Sequence, residues 1–582
     1  MLWLYMWADI HGNIYKQEFY KTSHMTKYVL ISDSTLSYDY RNFPLLDFLP
    51  CAPGRKVPGR VYRFLRGPSP EALPNGEAKN APYAIRKIEA GLLRDNPKKD
   101  VAVAHMDYLS NFITDDTEII GVSTMDPLGI GPTTMSYAAL FGGELDSWVR
   151  REWDILMERI NQVRKGKKAK LVIGGPGVWE FTVLRDEIDK YNFDYVVSGE
   201  MDDIISELFR GIASDDIDKN MFTRGYMTYD DHFRRVVKND DLFVGRGTGI
   251  RAYPSLEDIP EIVNPATKGM TEVMRGCGVG CDFCEVTLRP LRYYPLDRIK
   301  REIEVNVRGG NDHAWLHSDE IFEYKHEKMF TPNQDELVNL MKTVMSIKGV
   351  TGSNPTHGRI SIPAAFPDLI KRLSEILKAG PNNWIGIQTG VETGSDSLAL
   401  KHMPNKTMPL RIGPDGSFRD IVWEGVYNET RYYWRSAFTI QVGQQQETDE
   451  DNWDSIAMIN QLSHSYVDGR PFEFTVTPLV NVPLGRIKSR SLNSMLNPTQ
   501  LGVYYASYRH LAKMAARDGF RDTNGNMLVR AGTGTILSVG GELMLKVVEK
   551  IARKNGVDID KVKKWGIEND KEISSLSMLS RA

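Results

Sequence analysis

Short apolar runs separated by amphipathic stretches dominate the first third of the chain. The runs lie at residues 28–32, 101–106, 118–124, 171–175 and 195–199, and most of them end in glycine, serine or threonine. Near-continuous apolar strands joined by helices are typical of a doubly wound, Rossmann-like parallel sheet, whose ligands bind beyond the carboxyl ends of the strands. The pattern therefore predicts ligand contacts at the strand ends, from Ser123, Thr124, Gly174, Gly175, Gly199 and Glu200.

A second alternation of strands and helices runs from residue 271 to residue 477. Six strands are predicted, at residues 271–274, 314–317, 359–363, 383–389, 436–442 and 472–477. Parallel strands with intervening helices in this number form a partial (β/α)6 barrel, in which functional residues lie at the carboxyl ends of the strands. The α/β pattern then gives way to predicted helices at 503–516 and 542–552, separated by the glycine-rich segment 531–541, with an apolar face assigned to the core.

These patterns divide the chain into five predicted regions. They are an N-terminal extension (1–25), a Rossmann-like domain (26–215), a proline-punctuated linker (216–265), a partial barrel (266–485) and a C-terminal helical domain (486–582). Residues 404–434 are predicted to be an insertion in the barrel, which either walls a substrate pocket or packs on the exterior.

Composition narrows the classes of partner. The 582 residues carry 73 Lys and Arg against 76 Asp and Glu, a formal net charge of −3, which argues against binding nucleic acid through bulk positive charge. No apolar run approaches the ~20 residues needed to cross a bilayer, and the apolar N-terminus lacks the basic start of a signal peptide. We therefore expect a cytoplasmic protein with no transmembrane segment and no nucleic-acid partner.

Three of the four cysteines fall within eight residues, at Cys277, Cys281 and Cys284. Such clustering indicates metal binding rather than disulfides. Three thiolates on a glycine-rich loop can each bind one iron of a four-iron cluster, which leaves the fourth iron open to an exogenous ligand. The alternatives are buried free cysteines or an incomplete zinc loop, and the latter lacks a nearby fourth ligand because the next histidine is His313. The fourth cysteine, Cys51, is interpreted as a buried free thiol.

The C-x3-C-x2-C spacing, with Phe283 before the last cysteine, resembles the signature of the radical S-adenosylmethionine (SAM) superfamily. The resemblance implies that the three cysteines hold a [4Fe-4S] cluster whose open iron is chelated by SAM. It also implies reductive cleavage of SAM to a 5′-deoxyadenosyl radical, with a cofactor that supplies the difficult chemistry and a protein that positions the target C–H bond.

Further segments resemble the same superfamily. Ser318, Asp319 and Glu320 stand where the family receives the amino group of SAM, and residues 390–395 (Gly-Val-Glu-Thr-Gly-Ser) match a stretch common in its cobalamin-associated branch, which implies that Glu392 also binds SAM. Residues 443–451 resemble a third segment, Gly-Leu-Pro-Gly-Glu-Thr-x-Glu-Asp. Here Gln446 replaces the second glycine, which makes Glu447 a weaker candidate.

The segments Val-Ile-Gly-Gly-Pro and Tyr-Val-Val-Ser-Gly-Glu, placed before the cysteines, look like the cobalamin-binding domain of class B radical SAM enzymes. The resemblance implies that cobalamin binds at the strand ends named above. The family's axial-histidine motif, Asp-x-His-x-x-Gly, is missing from the expected loop, so we expect that histidine does not hold the lower face of cobalamin. The alternative is a generic Rossmann-like domain with no cofactor.

The resemblance implies an enzyme that functionalises an unactivated C–H bond, with methyl transfer from cobalamin as the first expectation. Radical carbon–carbon bond formation is an alternative, since layout and length also resemble archaeal enzymes that form rings in tetraether lipids. A non-catalytic cobalamin or iron–sulfur sensor is a third hypothesis. We expect the substrate to be a small molecule, a lipid or a peptide, and the electron donor to be a protein such as a ferredoxin or flavodoxin. No catalytic residue beyond the cofactor contacts is assigned.

Overall fold

The computed structural model describes residues 25–42, 44–229, 235–246, 253–413, 416–482, 495–521, 523 and 526–567. Apart from Met25, the predicted N-terminal extension lies outside the described residues. The strands are β1 (Tyr28–Ser32), β2 (Val101–Val103), β3 (Ile119–Ser123), β4 (Lys170–Gly174), β5 (Tyr195–Ser198), β6 (Phe222–Arg224), β7 (Tyr226–Tyr229), β8 (Arg235–Lys238), β9 (Phe243–Arg246), β10 (Met270–Glu272), β11 (Met274–Arg275), β12 (Arg292–Tyr293), β13 (His313–His317), β14 (Gly352–Pro355), β15 (Ile385–Glu392), β16 (Trp434–Val442), β17 (Tyr466–Val467), β18 (Arg470–Pro471) and β19 (Phe474–Val480).

Helices cover the sheets and form the C-terminal region. They are α1 (Gly59–Arg66), α2 (Tyr83–Asp95), α3 (Leu109–Phe112), α4 (Pro132–Leu140), α5 (Trp148–Arg164), α6 (Glu180–Val183), α7 (Ile205–Ala213), α8 (Leu296–Arg308), α9 (Gln334–Ser346), α10 (Ser361–Ala365), α11 (Pro367–Ile376), α12 (Asp396–His402), α13 (Phe418–Arg431), α14 (Asp449–Ser463), α15 (Pro498–Arg521), α16 (Met527–Lys554) and α17 (Ile559–Lys564). None of the helices among the described residues is long and apolar enough to cross a membrane.

The N-terminal region is built on a seven-stranded sheet in the order β2-β1-β3-β4-β5-β9-β6. All neighbours pair in parallel except β6 and β9. Helices α5 and α6 pack Trp153 and Phe181 on one face, and α2 and α7 pack Ile85 and Leu208 on the other. The predicted doubly wound sheet is confirmed, and its order places a topological switch point between β1 and β3. Strands β6 and β9 come from the segment predicted as a linker.

The second sheet system is a partial barrel of six parallel strands. Strands β10, β13 and β14 form one half, and β15, β16 and β19 form the other. A parallel bridge between His357 and Gln388 joins the halves. The alternating burial of β15, β16 and β19 follows from one face packing under helices while the other faces the lumen. The predicted α/β class with a partial (β/α)6 barrel is confirmed.

Two predicted elements are wrong. The third barrel strand is β14, not residues 359–363, part of which form α10. The sequence of β14, Gly-Ser-Asn-Pro, is typical of a turn, and it is a strand because it is fully buried in register with β13. The glycine-rich segment 531–541 is not a break but lies within α16. A Cβ on Gly534 would stand 3.0 Å from the backbone nitrogen of Phe520, so the glycine allows α15 and α16 to approach closely.

Glu429 on α13 is a buried carboxyl that makes stability depend on pH. Burial raises its pKa from the usual 4.5 to about 8, although Ser436 donates a hydrogen bond to it. The folded state therefore holds the proton more tightly, and the wild type loses stability as pH rises between these two values. We expect Glu429→Gln to match the wild type in acid and to exceed its unfolding free energy by roughly 3–5 kcal/mol at and above pH 8.

Urea unfolding at several pH values measures this difference. Glu158→Gln removes an exposed carboxylate on α5 and should leave the profile parallel to that of the wild type. A pH-independent gap between Glu429→Gln and the wild type would contradict the raised pKa.

Candidate active site at the barrel mouth

The three clustered cysteines lie on the loop of a hairpin formed by β11 and β12. The loop curls tightly at Gly276, whose φ is 82° and where a Cβ would stand 2.5 Å from the carbonyl oxygen of Pro290. Cys281 is buried, and Cys277 and Cys284 are half-buried. Burial raises the pKa of all three thiols, to about 12 for Cys281. Cationic groups or a metal are therefore needed to hold them as thiolates.

Burial raises the pKa of Cys277 most, and Cys281 and Cys284 add to the shift, so the three thiols lie near one another on the loop. Within the described ranges, no three His, Cys, Asp or Glu side chains are grouped to hold one metal ion. Each cysteine of an iron–sulfur cluster binds a different iron, whereas a structural zinc needs four ligands around one ion.

Two elements fix the cysteine loop. Asp319, after β13, accepts a hydrogen bond from the backbone N–H of Gly276 at 2.8 Å. On the other side, Asn405 donates to the carbonyl of Val279 at 3.0 Å. His402 at the end of α12 lies 3.0 Å from the carboxylate of Asp282, whose N–H donates to the His402 carbonyl. His402 and Asn405 were not anticipated from the sequence.

Glu392 ends β15 in an unusual conformation. Its φ is 67°, in the left-handed region, and it follows an irregularity in the pairing of β15 with β16. A Cβ on Gly390 would stand 2.3 Å from its Oε1 and 2.6 Å from Nζ of Lys406, so a larger residue there would displace these two charged groups. Oε1 accepts hydrogen bonds from Lys406 (3.2 Å) and Thr439 (3.1 Å), while the buried Oε2 has no partner in the described structure. Strain combined with an unpaired buried acceptor is typical of a ligand site.

Lys406 brings a positive charge to the cysteine loop. Its ammonium is buried and lies close enough to Cys281, Cys284 and Glu392 for all three to perturb its pKa. Burial lowers that pKa, whereas Glu392 and the two thiols raise it, and the net direction is upward. The side chain is therefore a cation at neutral pH. Sequence reasoning missed it because it lies in the predicted insertion, in a polar turn without a local signal.

The predicted SAM ligands after β13 differ in whether their side chains already have hydrogen-bond partners. Glu320 accepts hydrogen bonds from the backbone N–H groups of Phe322 and Arg359, and burial raises its pKa to about 7 despite the nearby charge of Arg359. Two of the predicted SAM ligands, Asp319 and Glu320, therefore already accept hydrogen bonds from backbone N–H groups of the protein. The hydroxyl of Ser318 is fully buried, and the described residues provide it with no partner.

In the loop after β16, Gln446 stands where the resembling segment has its second glycine, and the backbone there keeps the conformation that glycine favours. Gln446 adopts a φ of 62°, the conformation that glycine favours, and its side chain accepts a hydrogen bond from Lys401. Glu447 accepts from the N–H groups of Gly443 and Gln444, so it caps the loop instead of facing a ligand. Gln444 donates to the Glu392 carbonyl, and its buried Oε1 is unpaired within the described residues.

The residues predicted at the sheet edge differ in availability. Cβ atoms on Gly174 and Gly199 would meet nothing within 4 Å, so space lies beyond the ends of β4 and β5. A Cβ on Gly175 would collide with Thr124 and with Ser123 Oγ at 2.7 Å, so Gly175 is needed for the close turn. Thr124 is buried, with its hydroxyl 3.3 Å from Asp33. The carboxylate of Glu200 pairs with Arg275 and Arg292.

Asp33 is a further candidate that the sequence analysis missed. It follows β1 at the switch point of the sheet, is completely buried, and accepts hydrogen bonds from Thr35 and Thr124. Burial raises its pKa to about 6 in spite of these donors. A carboxyl directly after the first strand was the available signal.

No protein-family model matches the sequence, and no curated protein matches it. The structure is similar to that of the cobalamin-dependent SAM radical enzyme OxsB with aqua-cobalamin and SAM bound, at 10% identity and a TM-score of 0.52, over 99% of this chain and 80% of that one. It is also similar to the radical SAM methyltransferase TsrM from Kitasatospora setae, with cobalamin and a [4Fe-4S] cluster bound, at 14% identity and a TM-score of 0.45, over 79% and 74% of the two chains. A TsrM structure with tryptophan and aza-SAM gives a TM-score of 0.46.

The OxsB comparison spans nearly the whole chain. The sheet region, the partial barrel and the C-terminal helices of this chain therefore together have the fold of a cobalamin-dependent radical SAM enzyme. At 10% identity this similarity establishes the fold only. The function has to be inferred from the residues of the site.

Proposed function

We propose that the protein is a radical SAM enzyme that cleaves SAM reductively and transfers a methyl group from cobalamin to an unactivated carbon. The observation that carries the proposal is the set of buried, unpaired oxygens of Glu392, Ser318 and Gln444 around the mouth of a barrel whose loop carries three cysteines. A folded protein leaves few buried polar atoms unpaired, so these oxygens mark places for a polar ligand or bound water.

The donor set fits a [4Fe-4S] cluster on Cys277, Cys281 and Cys284. Such a cluster supplies one electron to a ligand at its open iron when it is loaded. The chain contributes the three thiolates, and Lys406 offsets their negative charge. Asp319, Asn405 and His402 hold the loop in place.

The same residues fit the amino-acid part of SAM. Oε2 of Glu392 and the hydroxyl of Ser318 are acceptors for an ammonium group, and a charge-assisted bond to Glu392 is the stronger of the two. Lys406 is the cation available for a carboxylate. Glu320 and Asp319 then act by shaping the site, because their oxygens are bonded to backbone N–H groups.

Space beyond Gly174 and Gly199 supports cobalamin at the sheet edge. The bound molecules of OxsB, aqua-cobalamin and SAM, are consistent with this pairing. Glu200 and Thr124 would not contact cobalamin directly. They would hold the sheet edge in place, Glu200 through its ion pairs with Arg275 and Arg292 and Thr124 through its hydrogen bond to Asp33. Reduction of the cluster requires an electron donor, for which we propose a ferredoxin or flavodoxin.

The test uses the full chain reconstituted anaerobically with iron, sulfide and cobalamin, reduced with dithionite and given SAM. The proposal expects 5′-deoxyadenosine by mass spectrometry and a change in the EPR signal of the reduced cluster when SAM is added. SAM with a deuterated methyl group, with cell extract as the source of substrate, distinguishes the two outcomes. Methyl transfer moves the label to the product, whereas carbon–carbon coupling without methyl transfer does not. A loaded cluster that neither yields the product nor responds to SAM would favour a sensor.

Replacement of Lys406 tests its electrostatic role. We expect Lys406→Met to lower the midpoint potential of the cluster by roughly several tens of millivolts, because a nearby cation stabilises the more negative reduced state. EPR-monitored redox titration measures the potential, with iron content as a check on loading. Lys406→Arg keeps the charge and should stay near the wild type. Equal potentials in the methionine and arginine variants would contradict this role.

A further inference from the structure

We propose that α1 and α16 form a docking surface for an anionic lipid bilayer. The proposal stands apart from the catalytic site, since it rests on side chains on the outside of the molecule. Five large apolar residues of α16 are exposed: Met527 (77%), Leu528 (77%), Val539 (54%), Leu543 (58%) and Val547 (41%). They extend along roughly 30 Å of helix.

The exposed surface continues onto a second helix. Val61 and Phe64 of α1 are exposed at 37% and 39%, and the Phe64 ring lies 3.9 Å from where a Cβ would stand on Gly532 of α16. Beneath this surface, Leu65 of α1 belongs to a small apolar cluster with Tyr38, Tyr40 and Leu46, against which Ile536 and Leu537 of α16 pack. We call Val61, Phe64, Leu528, Val539, Leu543 and Val547 the apolar face. Contiguous exposed apolar surface of this kind marks an interaction site.

Basic side chains surround the apolar face. Arg60 and Arg63 are exposed on α1, and Lys546 and Lys550 are exposed on α16. In addition, the guanidinium of Arg41 lies 5.0 Å from the centre of the Phe64 ring. This pattern is typical of helices that lie in the interface of a membrane, where the apolar side chains enter the acyl boundary and the cations contact anionic headgroups.

Acidic groups on the same surface are fewer and partly engaged. Asp39 accepts a hydrogen bond from the backbone N–H of Arg41, and Glu549 pairs with Arg553. Glu542 is exposed on α16. The balance of charge around the apolar face is therefore positive, although the whole chain carries a formal net charge of −3.

This charge favours a bilayer over a second copy of the chain. In a two-fold dimer the same patch meets itself, so the cations of α1 and α16 would face their own copies. An anionic bilayer instead complements them and needs no particular partner residues. From the sequence, the apolar side of the C-terminal helices was predicted to pack in the core. In α16 that assignment holds for Thr533, Gly534, Val548 and Ala552 but not for the face defined here.

The experiment is sedimentation of the full-length, cluster-loaded protein with vesicles. We expect binding to vesicles of equal parts phosphatidylcholine and phosphatidylglycerol, and at least roughly tenfold weaker binding to phosphatidylcholine alone. Leu543→Glu and the pair Arg60→Glu with Arg63→Glu should each weaken binding to anionic vesicles roughly tenfold, and added salt should weaken it further. Ile155→Glu, at an exposed apolar position on α5, is the matched control and should bind as the wild type does.

Several results would overturn the proposal. One is the absence of vesicle binding by the wild type, and another is equal loss of binding in Ile155→Glu and Leu543→Glu. A dimer in light scattering that Leu543→Glu dissociates would assign the face to a second copy. Circular dichroism and SAM cleavage should be unchanged in Leu543→Glu, which separates a failure of this proposal from a failure of the proposed catalytic function.

Discussion

Replacing Cys281 by alanine is expected to abolish formation of 5′-deoxyadenosine. Cys281 is the buried member of the three clustered cysteines, and its thiol lies near Lys406 and Glu392. Loss of one of three protein ligands leaves two irons without protein coordination, so the cluster should also fail to assemble. Iron and sulfide content after anaerobic reconstitution measures assembly, and mass spectrometry measures the product.

The chain offers its own control for this prediction. Cys51 is likewise a free cysteine, and burial raises the pKa of its thiol to about 12, but it lies far from the loop in sequence and belongs to the sheet region. Cys51→Ala should retain iron and product formation. If Cys281→Ala kept full iron content and full activity, the assignment of the three cysteines to a cluster would fail.

The second large effect is expected at Arg275, two residues before Cys277. Its guanidinium donates to Glu200 (2.6 Å), Asp202 (3.1 Å) and Glu272 (2.8 Å), so it joins the end of β5 to the barrel. Arg275→Met leaves these carboxylates close together without their shared cation. Removing one partner of a buried ionic network typically costs about 3–5 kcal/mol, and we expect a loss of this size in urea unfolding.

We expect the loss of unfolding free energy in Arg275→Met to be smaller at acidic pH. Burial raises the pKa of Asp202, but the charge of Arg275 lowers it, and the net shift is downward from the usual value of 3.8. The stability that Asp202 contributes is therefore present above that value and is lost as pH falls, so the gap between variant and wild type should narrow in acid. Arg301→Met, which breaks exposed pairs with Glu261 and Asp297, should leave the unfolding free energy close to that of the wild type. Equal losses in the two variants would contradict the network.

Sequence periodicity predicted the strands of the first sheet closely, because parallel strands buried on both faces must be apolar throughout. Strand β1 matches its predicted bounds, β3, β4 and β5 differ by at most one residue at each end, and β2 ends three residues earlier than predicted. Strand β14 could not be predicted in the same way, since Gly-Ser-Asn-Pro owes its conformation to neighbouring strands rather than to its own propensities.

The candidate site was predictable only where local spacing carries the chemistry. The cysteine spacing and the carboxylate of Glu392 are readable from short segments. Lys406 and Asn405 were not, because their role depends on how the turn after α12 folds back over the cysteine loop. Glu200 shows the opposite error. From the sequence it is predicted to be an available ligand at a strand end, but in the folded chain its carboxylate forms ion pairs with Arg275 and Arg292, on the hairpin strands β11 and β12.

The junction between the two barrel halves has a mechanical consequence. Its backbone hydrogen bonds, among the described residues, are those of the bridge at His357 and Gln388: Gln388 donates to the carbonyl of Thr356, and Gly358 donates to that of Gln388. Asn354 adds a side-chain bond to the carbonyl of Gly386, and apolar side chains of both halves pack in one core. Backbone pairing is therefore sparser at this seam than within either half of the barrel. We expect a change in the width of the lumen to occur first at this seam, because bending there breaks fewer backbone hydrogen bonds than bending within a half.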